Sequence, residues 1–179
     1  GPGPDMVRPK ARQTPEDLRA AMDKAINLFC KDFVVDGPEE VKEAKEKDPE
    51  SQLIDGRMEI KEILQKNPNA KFVLASSHFS NLDAPAAVRA LGDILDIQIT
   101  AESVLFEGLA PQRVLFKWAG EGNFVPLSYE KTKKGKHGVL NPDDFTKLND
   151  SVEKGKTPWI AIHQFTKEEE MQDARIGSV

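Results

Sequence analysis

From Lys71 onward the apolar residues of this chain change their spacing, and that change restricts the folds open to it. Short apolar runs occur at Phe72–Ser76, Ile97–Ala101, Asn123–Ser128 and Thr157–His163. Segments of helical periodicity separate them at Asp83–Leu95, Pro111–Ala119 and Pro142–Glu153, the last with Phe145, Leu148 and Val152 on one face. Short apolar strands that alternate with helices predict an α/β fold, a mixed and largely parallel sheet covered by helices. Ligands of such sheets gather at the carboxyl ends of the strands. His78 follows the first strand, a lysine-rich loop at 131–136 follows the third, and His163-Gln164-Phe165-Thr166 closes the fourth, so all three are expected on one rim.

The residues before Lys71 read as helices. Thr14-Pro15-Glu16-Asp17 is a helix start, with a threonine cap, proline at the first helical position and acids in the first turn. Leu18, Met22, Ala25, Ile26, Phe29 and Phe33 then recur at helical spacing until Gly37-Pro38, so one face of a helix over 15–33 is expected to pack on the domain. Residues 39–51 are mostly Glu and Lys and read as a solvated helix or connector. A shorter helix, about Arg57 to Gln65, carries Met58, Ile60, Ile63 and Leu64 and is broken by Asn67-Pro68-Asn69. Residues 1–6 read as a tag remnant and residues 7–69 as an N-terminal helical extension that forms one folded unit with an α/β core over 70–179.

Composition narrows the function. The mild acidity, 30 acidic against 25 basic side chains, argues against a broad nucleic-acid surface. One cysteine, Cys30, excludes an intramolecular disulfide and is expected to be a buried thiol of the first helix. The 3 histidines lie far apart and give no recognisable zinc ligand set. No run approaches the roughly 20 apolar residues of a membrane span.

Chemistry concentrates at the first strand–helix joint, Ser77-His78-Phe79-Ser80-Asn81-Leu82-Asp83. A histidine at a strand end and an aspartate at the start of the next helix can pair, the carboxylate holding one imidazole tautomer and stabilising the imidazolium. Asp83 ahead of Ala84-Pro85 reads equally well as a helix N-cap. No Gly-x-Ser-x-Gly elbow is present, which argues against an α/β-hydrolase esterase and for a base that acts on a substrate hydroxyl.

The order of these pieces resembles the glycerolipid acyltransferase superfamily, the lysophosphatidate and glycerol-3-phosphate acyltransferases, over roughly residues 70–167. The signature of that family, His, four residues, Asp, falls on His78 and Asp83, with Ser80 at the position that is often serine. Gly155-Lys156-Thr157-Pro158-Trp159 looks like the turn before the third family motif. The second motif falls on Gly120–Leu127, with Leu127 where an arginine that holds the acceptor phosphate is expected. The third falls on His163-Gln164-Phe165-Thr166-Lys167, which keeps only the threonine and a basic residue.

The resemblance implies transfer of a fatty acyl group from an acyl thioester, on coenzyme A or acyl carrier protein, to a hydroxyl of a lipid-type acceptor. No other cofactor is implied. His78 would be the general base, oriented by Asp83, and the turn at Phe79-Ser80-Asn81 the nearest source of oxyanion donors. Lys131, Lys133, Lys134 and Lys136 form the dense basic cluster, fit to hold a phosphate, an acidic carrier protein or an anionic membrane surface, or to be simply a soluble loop. Thr166 and Lys167 are acceptor-site residues by position, and His163 is a second imidazole at a strand end. Trp118, Leu115, Phe116 and the stretch Val104-Leu105-Phe106 serve either the core or an acyl groove. The expected location is the cytoplasm, either free or peripheral at the inner face of a membrane. The degraded second and third motifs suit an alternative, a lipid- or acyl-thioester-binding relative with little turnover.

Overall fold

A computed structural model describes residues 14–78, 80–102, 117, 119–128, 130, 131 and 138–163. The first helix, α1 (Pro15–Phe29), begins as the sequence predicts: the Thr14 hydroxyl accepts from the Asp17 N–H and the Asp17 carboxylate accepts from the Thr14 N–H, each at 3.3 Å. Leu18, Ala21, Met22, Ala25 and Ile26 are its buried stripe. The helix stops four residues short of the expected Phe33 because the stripe runs out of surface to cover; Phe29 is already 75% exposed and Cys30 is extended. Cys30 is therefore a half-buried cap residue and not part of a helical core. Phe33, outside the helix, lies against the Arg89 guanidinium, 5.4 Å from the ring centre.

The charged stretch forms α2 (Pro38–Lys47), which buries no residue and carries an exposed Glu43–Lys47 pair at 2.8 Å. Asp55 caps α3 (Gly56–Lys66) by accepting from the Met58 N–H at 3.2 Å. Ile60 and Leu64 of α3 pack on the core, whereas Met58 and Ile63 remain about half exposed.

The main sheet has four parallel strands, β1 (Leu74–His78), β2 (Ile97–Glu102), β3 (Phe124–Leu127) and β6 (Thr157–His163), in the order β1-β6-β2-β3. Two short strands, β4 (Glu130–Lys131) and β5 (Gly138–Val139), pair antiparallel beside it. Helix α4 (Asp83–Leu91) follows β1, and α5 (Pro142–Glu153) precedes β6. The expected α/β class is therefore observed, and every strand pair of the main sheet is parallel.

The register assigns the two faces. Leu74, Ile97, Ile99, Phe124 and Trp159 join Leu18, Met22 and Val88 in one core, so α1 and α4 cover the same face. Val125, Leu127 and Ile160 meet Leu148 of α5 on the other. Asp144, wholly buried, joins these layers: its carboxylate accepts from the Ser128 N–H at 2.7 Å and the Asn141 N–H at 3.1 Å. The N-terminal helix thus contributes to the same core as the sheet.

Besides the end of α1, two expected boundaries move by two residues or more. The first strand runs over Leu74–His78 and not Phe72–Ser76, because its pairing with β6 starts at Leu74↔Trp159 and ends at His78↔His163. Helix α4 ends at Leu91 and not Leu95, where the Arg57 guanidinium takes the Ala90 carbonyl and grips Asp93 through two bonds of 2.7 and 2.8 Å. The hydrogen-bonded Arg57 holds the Asp93 carboxyl down at about 2.

This pair carries a pH prediction. Its side chains are 30% and 41% exposed, so solvent screening limits it to about 1 kcal/mol at most. The folded value lies below the unfolded one of about 3.9, so the stabilisation is complete well above pH 4 and drains away as pH falls toward 2. Asp93→Asn should lower the urea midpoint at pH 7 and cost progressively less at lower pH. An equal cost at pH 7 and pH 2 would assign the effect to packing instead of charge.

Candidate active site

His78 is the last residue of β1, and the turn after it is short enough to return Asp83 to its ring. Nδ1 of His78 lies 3.0 Å from Oδ2 of Asp83, and the same oxygen accepts from the Ser80 N–H at 2.9 Å. The Ser80 hydroxyl oxygen accepts from the Leu82 N–H at 3.0 Å, and the Ser80 carbonyl accepts from the Asp83 N–H at 3.2 Å. The turn therefore orients the carboxylate before the carboxylate orients the ring. With Nδ1–H donating to Asp83, the basic lone pair is on Nε2. The His78 side chain is 39% exposed and that of Asp83 only 18%, so the base is accessible and its orienting group is sheltered.

Asp83 is not the N-cap that its sequence position suggests. It occupies the first helical position of α4; Leu82 is the cap residue and makes no side-chain cap bond. The carboxylate instead reaches backward over the turn, where the helix N-terminus also favours negative charge.

The other site residues separate into groups. Ser80 shapes the turn, and its N–H is committed to Asp83, so that N–H is not an oxyanion donor; Asn81 is exposed beside it. Phe79 lies outside the described residues, as do Lys133, Lys134, Lys136, Thr166, Lys167, Trp118, Leu115, Phe116 and Val104–Phe106. Lys131 falls in β4 beyond the end of β3. Since β3 is the far strand of the order β1-β6-β2-β3, that segment leaves the sheet three strand spacings from β1, about 14 Å. The backbones of His78 and His163 therefore meet at one rim as direct register partners, whereas Lys131 follows the strand farthest from β1; the rest of the lysine cluster lies outside the described residues.

Leu127, where the resembled family has an arginine, is fully buried against the α5 side of the sheet, opposite the face that holds Leu74 and Trp159. A cation for an anionic acceptor would have to come from another position. Among the described residues no group of three or more His, Cys, Asp or Glu is arranged to hold a metal ion, and no helix is long and apolar enough to cross a membrane. Compared with protein-family models, with curated proteins and with solved structures, the chain matches none.

Proposed function

We propose that this chain is an acyltransferase that moves a fatty acyl group from an acyl thioester to the hydroxyl of a lipid-type acceptor. The observation that carries the reading is the His78–Asp83 pair, 3.0 Å apart, with its carboxylate pinned by the Ser80 N–H and its ring accessible at the carboxyl end of a parallel strand. Nε2 of His78 takes the acceptor proton as the hydroxyl oxygen attacks the thioester carbonyl. The tetrahedral intermediate collapses by breaking the carbon–sulfur bond, and the imidazolium returns the proton to the departing thiolate. Ester and free thiol are the products, and no covalent acyl-enzyme is required. Asp83 stabilises the imidazolium during the interval between the two transfers.

The test is thiol release from acyl-coenzyme A and acyl-carrier-protein donors, each with and without lysophosphatidate, glycerol 3-phosphate or a neutral long-chain alcohol. Acceptor-dependent release that yields an ester supports the reading and names the acceptor. Release without any acceptor would mean hydrolysis, and donor binding with no release would leave the binding-only relative as the better account.

Asp83→Asn provides a second check. The amide keeps the size of the side chain but loses the charge that fixes the Nδ1–H tautomer, so turnover should fall by as much as about 10⁴-fold. The KM for the donor should change little. A loss confined to KM would place Asp83 in binding and not in proton transfer.

A further inference from the structure

Helix α2 has no core to serve. Its start is fixed by Pro38 and by the Glu40 carboxylate, which accepts from the Gly37 N–H at 2.9 Å, yet it buries none of its residues. Among the described residues, seven of the nine large apolar side chains that stay exposed fall between Leu28 and Ile63, on either side of this helix. Between α2 and α3 lies an open groove of about 540 Å³. Pro38 and Val41 of α2 and Met58 of α3 line it, and the exposed Val35 and Ile54 lie within three residues of that lining. Lys42, Lys45, Glu46 and Asp55 complete the lining, whose surface is nonetheless mostly carbon, as it is where lysine stems form part of a wall.

Charge decides what fits there. Residues 36–55, which carry α2 and lead to the cap of α3, hold eight acidic and three basic side chains. That excess equals the formal net charge of −5 of the entire chain, so the other residues are balanced. The segment would repel an anionic membrane surface. Small-ligand sites enclose most of their ligand, and this groove is open. An added strand would find nothing to pair with, because the backbone bonds of both helices are internal. What is complementary is a helix with apolar residues at i, i+3 and i+4 and lysine or arginine beside them.

We propose that the α2–α3 groove docks a basic amphipathic helix of a partner protein. Apolar anchors of that helix cover Val41 and Met58, and its cations meet the acidic segment. The groove is separate from the His78–Asp83 joint: Arg57, next to Met58, grips Ala90 and Asp93 at the end of α4, whereas Asp83 begins that helix. The proposal does not rest on acyl transfer.

The experiment is fluorescence anisotropy of a labelled peptide of about 15 residues made of leucine and lysine, with leucine at helical spacing. Comparison peptides are a scrambled sequence of the same composition and one with glutamate in place of lysine. The full chain is tested as wild type, as Met58→Ser and as the charge-reversed Glu46→Lys/Glu50→Lys, each verified as folded by circular dichroism. These side chains are exposed, so folding should survive. One saturable site is expected, weakened at least about 10-fold by each variant and by scrambling. Raising salt from about 0.05 M to about 0.3 M should also weaken it. Equal binding of the scrambled peptide, unchanged affinity in Met58→Ser, or no saturation at millimolar chain overturns the proposal. Tighter binding of the glutamate peptide, or binding to phosphatidylglycerol vesicles that Met58→Ser abolishes, overturns it in favour of an anionic lipid. A dimer of the chain alone that Met58→Ser dissociates overturns it in favour of a second copy.

Discussion

His78→Ala is expected to reduce acceptor-dependent thiol release by at least about 10²-fold, and by as much as 10⁴-fold, the range that general-base catalysis supplies. Folding should survive the change, because the side chain is 39% exposed at the end of a strand and contributes no buried apolar surface. The melting temperature and the affinity for a non-transferable donor analogue should therefore stay close to wild type while kcat collapses. That separation of binding from turnover is what a proton acceptor predicts. Activity retained within a few-fold would remove His78 from the chemistry and the proposed mechanism with it. A drop in donor binding of the same size as the drop in kcat would instead make the ring a docking group.

The second large effect concerns the N-terminal helix. Met22 is 1% exposed and lies in the same apolar cluster as Val88, Ile97 and Trp159, so its side chain belongs to the core that supports β2 and β6. Met22→Ala should cost about 2–5 kcal/mol, the transfer free energy of the lost atoms plus that of the cavity left behind. This is a large share of the 5–15 kcal/mol that typically separates folded from unfolded chains. Urea unfolding should remain a single transition with a lower midpoint. A cost under about 1 kcal/mol, or a separate early transition, would mean that α1 is an arm that detaches from the sheet. The location of the helix makes the measurement relevant to the site, since α1 packs on α4, whose first residue is Asp83.

How much of this was legible beforehand depends on whether the determining contacts are local. Helix α5 and strand β6 fall on Pro142–Glu153 and Thr157–His163 as the sequence predicts. Asn141 caps α5 through the Asp144 N–H, with Pro142 in the first turn, and these contacts lie within a few residues of the boundary they set. The His78–Asp83 pair was legible for the same reason: a turn of four residues leaves few ways for a carboxylate to sit except near the ring. Its detail was not, because Asp83 had two local uses. The N–H of Ser80 and the ring of His78 together outcompete the cap.

What the sequence by itself determined is therefore the α/β class, the positions of the capped helices, and the local histidine–aspartate joint, since each rests on periodicity or on hydrogen bonds between near neighbours. Only the tertiary structure decided where α1 stops, where β1 begins, and that β6 inserts between β1 and β2 to place His163 beside His78. Strand order and register come from pairing surfaces far apart along the chain, and an apolar run carries the same hydrophobic pattern whichever neighbour it pairs with. The helix end has the same origin, because an apolar stripe continues only as far as there is a core to cover, and the extent of that core belongs to the whole fold.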